Sequence, residues 1–133
     1  MSAVFADTVY FLALLNPADQ WHAHARAFSA NPPGPLVTTE FILTEVGDGL
    51  SRPGDRLRFA RLLELLRAQP DVEIVPVSHQ LFAQGCELHA QRTDKDWSLT
   101  DCTSFLVMRA KELEVALTAD RHFTQAGFKA LMG

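Results

Sequence analysis

Two cysteines in 133 residues leave little for a covalent framework. Cys86 and Cys102 form no CxxC motif, and no Cys/His cluster offers a convincing zinc site. The expectation is two reduced, mostly buried thiols in a cytoplasmic protein. Apolar residues make up 47% of the chain, yet no run reaches the ~18 residues of a membrane span, so no membrane partner is expected. The opening MSAVFADTVY has an aspartate inside its apolar stretch and no basic residue before it, which argues against a secretory leader. Basic residues are in deficit, 12 Lys and Arg against 16 Asp and Glu, for a net charge of −4. That balance disfavours generic duplex binding, although acids that hold cations reverse their local field. Repeats and low-complexity tracts are absent. The length suits one domain, residues 1–133, with one core.

What is present alternates between short apolar runs and helical patterns. Ala3 to Ala6 reads as a buried strand ending at Asp7, and Thr8 to Leu15 as a helix stopped by Asn16-Pro17. A second helix is expected over Ala18 to Ala30, then a rigid NPPGP turn, a strand at Leu36 to Thr38 and a helix from Glu40 to Leu50. Arg56 to Arg67 is strongly amphipathic, with Phe59, Leu62, Leu63 and Leu66 in one stripe. Glu73 to Val77 is the third strand, ended or interrupted at Pro76. Ser78 to Arg92 is helical despite Gly85, and Thr100 is placed to cap a helix over Asp101 to Lys111. Glu114 to Thr118 is a late strand, Arg121 to Ala126 a short helix, and Phe128 to Leu131 an edge strand. This order predicts an α/β fold, a three-layer α/β/α sandwich around a mainly parallel sheet.

Four carboxylates stand at informative places in that order. Asp7 and Asp120 fall at or just past strand ends, and Glu40 and Asp101 at helix starts. Each alone suits a helix N-terminus, where an acid satisfies free N–H groups. Ordinary right-handed crossovers put all four on one sheet rim, where they would repel one another unless cations intervened. Oxygen ligands favour Mg²⁺ or Mn²⁺. Ions of this kind, in pairs about 4 Å apart, activate water on one side of a phosphate and steady the leaving oxygen on the other. Thr8 and Ser104 are candidate supporting hydroxyls, Ser104 lying one helical turn beyond Asp101.

The segments DTVYFLALL from Asp7, VTTEFILTEVGD around Glu40, DWSLTDCTSFLVM from Asp96 and LTADRHFTQAGF from Leu117 resemble a PIN-domain ribonuclease, in the style of the VapC-like toxins of bacterial type II toxin–antitoxin pairs. The resemblance spans almost the whole chain. It matches the family's metal-binding acids to Asp7, Glu40, Asp101 and Asp120, and the accompanying hydroxyls to Thr8 and Ser104. It implies a PIN-like sandwich, dependence on one or two Mg²⁺ or Mn²⁺ ions, and cleavage of single-stranded or looped RNA. It also implies frequent homodimers and a small antitoxin that inserts near the active-site groove. A PIN-like RNA-processing nuclease without an antitoxin, and a non-catalytic PIN scaffold, are the alternatives within the family.

Around these acids, Asp96 either orients its loop or lines the rim. Trp97 is a candidate for stacking an RNA base, weighed against packing its loop on the sheet. Arg121 is a candidate phosphate contact. His122 is expected to bond backbone rather than act in chemistry, and Glu45 to approach the rim at most. His22 and His24 cannot share a helical face well. Rival functions fit worse. A dehalogenase-like phosphatase wants a second aspartate two positions after the first, where this chain has Val9. A receiver domain wants an acidic pair near the first strand and an aspartate after a middle strand, where Ser78 stands.

Overall fold

The computed structural model describes residues 2–133. Its central strand is β1 (Val4–Ala6), all three residues apolar and buried, as a strand covered on both faces must be. In chain order follow α1 (Thr8–Leu15), α2 (His22–Ala30), β2 (Leu36–Thr39), α3 (Glu40–Gly49), α4 (Arg56–Ala68), β3 (Val72–Val75), α5 (His79–Gln91), α6 (Leu99–Ala110), β4 (Val115–Leu117), α7 (Arg121–Gln125) and β5 (Lys129–Ala130). The strands lie in the order β3-β2-β1-β4-β5, and every neighbouring pair is parallel. Phe5 sits opposite Val37 on one side and Ala116 on the other. The expected three-layer α/β/α sandwich is the architecture found.

The chain steps one way across the sheet from β1 to β3, then returns past β1 to β4 and β5. Right-handed crossovers therefore lay α1 to α4 over one face and α5 to α7 over the other. The direction of travel reverses between β1 and β4, and a crevice opens there beyond the C-terminal strand ends. Asp7 follows β1 and Asp120 follows β4, so topology alone delivers both to this crevice.

A run of aromatic rings underlies it. Trp97 packs edge-on against Phe105 at 4.9 Å between centroids, Phe105 against Phe123 at 5.0 Å, and Phe123 against Phe5 at 6.2 Å. This ties α6, α7 and β1, the three elements that carry or precede the rim acids, into one packed unit. Leu62 is the buried residue of α4, while Phe59, Leu63 and Leu66 are half-buried.

Gly85 allows α5 to lie close on α6. A Cβ there would come within 2.7 Å of the Thr103 methyl. Thr103 is fully buried and its hydroxyl donates to the Thr100 carbonyl at 2.7 Å, so it cannot swing aside freely. Gly85→Ala is expected to destabilise by about 1–2 kcal/mol, overpacking outweighing the gain in helix propensity. Urea denaturation of the two proteins measures this, and an unchanged or higher midpoint in the variant refutes the close-packing account.

Several boundaries differ from those expected. The second helix starts at His22, not Ala18. The intervening residues form turns in which Asn16 Oδ1 accepts from the Ala18 N–H and Asp19 Oδ1 from the Trp21 N–H, local bonds that compete with helix. β3 occupies Val72–Val75 and stops before Pro76. Ser98, not Thr100, caps α6 through a reciprocal capping box with Asp101. The last strand shrinks to Lys129–Ala130. Both cysteines are free thiols, Cys102 buried and Cys86 half-buried.

Candidate active site

The crevice between β1 and β4 is an open cleft of about 470 Å³, with Asp7, Glu45, Asp48, Asp101, Asp120 and His122 in its walls. Asp7 holds the N-cap position of α1 in extended conformation and is 4% exposed. Its Oδ2 accepts the Thr118 hydroxyl at 2.7 Å. The Thr118 oxygen in turn accepts the Asp120 N–H at 3.0 Å, so one buried threonine joins the two strand-end acids. Burial pushes the Asp7 carboxyl up to about 7; the Thr118 and Thr8 hydrogen bonds pull against this, and the nearby Asp101 and Asp120 add to it. A carboxylate held in these conditions lacks a positive neighbour.

Asp101 belongs to the first turn of α6. Its Oδ2 accepts both the Ser98 N–H at 3.0 Å and the His122 Nδ1 at 2.9 Å. Asp120 caps α7, its Oδ1 accepting the His122 N–H at 2.8 Å. One oxygen of each carboxylate is thus fixed by protein donors while the other carries no protein hydrogen bond among the described residues. Ligand atoms of Asp101, Asp120 and His122 lie within 4.8 Å of one another. Two carboxylates and an imidazole at this spacing, beside a buried acid short of positive charge, could hold a divalent metal ion.

Glu40 is not brought to this cleft, which corrects the expectation drawn from its place at a helix start. Its Oε1 instead accepts the Val77 N–H at 2.8 Å, and the residue lines a neighbouring groove with Thr44, Arg67 and Pro76. The α3 acids in the cleft are Asp48 and Glu45, the latter accepting the Thr8 hydroxyl on Oε1 at 2.6 Å. Five residues turn a helix by about 140° beyond a full revolution, so only one of Glu40 and Glu45 can face Asp7. The available signal was Glu45 paired with Asp48 at i,i+3, an acidic stripe on one face of α3.

Of the expected supporting residues, Thr8 is in the cleft wall. Ser104 does not line it; its hydroxyl is buried without a hydrogen-bond partner among the described residues. Asp96 is exposed and also stands outside it. Trp97 is 4% exposed, donates from Nε1 to Gln125 Oε1 at 3.1 Å and lies beneath the Arg92 guanidinium at 4.7 Å. Buried in this way, with Arg92 over its ring, Phe105 edge-on to it and its N–H engaged, it is not free to stack a base, a correction to its candidacy as an RNA contact. Arg121 is exposed but opens onto a separate groove with Glu114 and Lys129, not onto the acids. His122 is the cleft residue that sequence reasoning set aside. Its signal was the spacing D-x-H, because an aspartate that caps the N–H two residues on turns that residue back over itself.

A parallel sheet with acids gathered at its switch point defines the class. The PIN domain family matches residues 4–129, and the chain belongs to that family. It is 31% identical over 125 residues, 94% of this chain and 95% of the relative, to the protein of Mycobacterium tuberculosis described as "23S rRNA-specific endonuclease VapC20". The crystal structure of Mycobacterium tuberculosis VapC20, described as a Sarcin-Ricin loop cleaving toxin, superposes with a TM-score of 0.86 at 30% identity, covering 99% of this chain and 100% of that one. FitAcB from Neisseria gonorrhoeae shares the fold at a TM-score of 0.66 and 16% identity, over 96% of this chain and 95% of that one.

Proposed function

We propose that this chain is a divalent-metal-dependent endoribonuclease that cuts a loop in structured RNA, and that it is the toxin of a toxin–antitoxin pair. The observation that carries the reading is Asp7, a buried acid held near neutral pKa beside Asp101 and Asp120. The relative described as an rRNA-specific endonuclease and toxin, matched over nearly the whole chain, supports the substrate class.

Asp7, Glu45, Asp101 and Asp120 are the residues proposed to hold the metal. A bound divalent ion supplies the positive charge that activates water and stabilises the leaving oxygen in phosphodiester hydrolysis. The chain's own part is orientation. Thr118 fixes Asp7 and the Asp120 backbone together, Ser98 holds one oxygen of Asp101, and Thr8 holds one oxygen of Glu45. These bonds preset the acids before substrate arrives, so less reorganisation is needed at reaction. Arg121 and Lys129, outside the acid cleft, are the cations proposed to meet RNA backbone flanking the cut. A small antitoxin occluding the cleft and a homodimer complete the proposal. The cytoplasm, where RNA is available, is the proposed location; among the described residues no helix is long and apolar enough to cross a membrane.

Sequencing of RNA 5′ ends in cells making the wild type, Asp101→Asn, Glu45→Gln or Glu40→Gln tests the reading. Wild type is expected to produce discrete cuts that Asp101→Asn does not. Glu45→Gln is expected to lose about 100-fold or more in cutting, as removal of a preorganised charged group does, whereas Glu40→Gln keeps most of it. Cuts that persist in Asp101→Asn overturn the enzyme assignment, and equal loss in the two glutamine variants overturns the choice of Glu45.

A further inference from the structure

His122 bridges the two acids that come from different elements. Its Nδ1 lies 2.9 Å from Asp101 Oδ2 on α6 and 3.4 Å from Asp120 Oδ1 at the start of α7. Both partners are carboxylates and accept hydrogen bonds, so Nδ1 carries the proton. The backbone N–H of the same residue is already bound to Asp120 Oδ1 at 2.8 Å, which fixes the ring's base. The ring is anchored from below as well, since the next residue, Phe123, is fully buried against Phe105 and Phe5. Asp101 Oδ2 also receives the Ser98 N–H, and two donors at one oxygen leave Oδ1 as the oxygen free to meet a cation.

We propose that His122 is a positioning residue for the metal centre: its ring Nδ1–H holds Asp101 while its backbone N–H holds Asp120, which together aim the remaining oxygens of the two acids at one point and so set metal affinity without His122 being a ligand. The inference rests on the metal-dependent nuclease reading. Phe105 and Phe123 pack α6 on α7 beneath the cleft, but without the clamp no hydrogen bond reaches from α7 to the Asp101 carboxylate, and two like charges are free to turn apart. Donors in such an outer shell typically change metal affinity by about 10–100-fold.

The test uses purified full-length wild type, His122→Ala and His122→Asn. Asparagine places an amide N–H near the position of Nδ1–H, so it restores the clamp; alanine does not. Mn²⁺ binding is read from the loss of the free-ion electron paramagnetic resonance signal on titration, and nitrogen coupling to the bound ion by pulsed methods. His122→Ala is expected to bind Mn²⁺ about 10–100-fold more weakly, and His122→Asn close to wild type. In RNA cleavage the metal concentration for half-maximal rate should rise in parallel for His122→Ala. Equal affinity in His122→Ala and wild type overturns the clamp while leaving the nuclease reading intact. Directly coordinated histidine nitrogen in wild type, or failure of asparagine to rescue a folded protein, also overturns it, in favour of His122 as a ligand. Wild type that neither binds Mn²⁺ nor cuts RNA with it ends the nuclease reading and the clamp together.

Discussion

Asp7→Asn is expected to cut RNA at least about a thousandfold more slowly than wild type, and yet to be the more stable protein above pH 7 when metal is withheld. Loss of activity follows from removing the most buried acid of the cleft. The gain in stability follows from its pKa. Burial holds the folded carboxyl near 7, against 3.8 for the ordinary group. Between those values the folded protein keeps a proton that the unfolded chain has released. Stability therefore falls as pH rises from about 4 through 7 and then levels, and the full penalty, on the order of 4 kcal/mol, is present above 7. Asparagine has no such titration and keeps a side-chain oxygen for the Thr118 hydroxyl. Denaturant unfolding in chelator from pH 5 to 9 should show a downward slope in wild type that the variant lacks. Added Mn²⁺ should restore wild type and leave Asp7→Asn nearly unmoved. Identical pH slopes in the two proteins would contradict the burial argument, and normal cutting by the variant would contradict the site.

Phe105→Ala carries the largest expected cost to the fold. The ring is fully buried and meets Trp97, Phe123 and Phe128 with centroids 4.9, 5.0 and 5.8 Å away. Truncation removes its transfer free energy and leaves a cavity among rigid neighbours, for a loss of about 3–5 kcal/mol. The same ring supports α6 from below, one turn after Asp101, and Phe123 supports α7 directly after His122. Even the fraction of Phe105→Ala that stays folded in the cold should bind metal more weakly. Guanidinium denaturation, with Phe105→Leu as the milder comparison, measures the first effect. A loss below 1 kcal/mol in the alanine variant would mean the aromatic run does not hold the rim.

The fold was readable because its signals are local. VFA followed by Asp7, VALTA followed by Asp120 and the alternation of helical with strand patterns require only periodicity and strand-end logic. Asp7, Asp101 and Asp120 meet in the cleft for that reason. Glu40 misled because the choice between it and Glu45 depends on how α3 is rotated against α1, which is a tertiary quantity. Trp97 misled because a polar loop hides where its ring goes; the deciding partners, Phe105 and Gln125, are 8 and 28 residues away. The cap of α6 was legible and passed over, since S-L-T-D is itself a capping-box pattern. His122 needed the geometry of Asp120, which turns its ring towards a helix that precedes it in the chain.

The bond between Thr118 and Asp7 spans 111 positions, and β1, the strand that leads into Asp7, is sandwiched between neighbours made early and late. A nascent chain on the ribosome holds Asp7 from the start but has no β4 to dock against it, and long-range pairing of this kind forms only after its loop entropy is met. The cutting rim therefore assembles only once residues through Asp120 have emerged from the exit tunnel. Until then the emerging chain carries its first acid without the partners that complete the cleft.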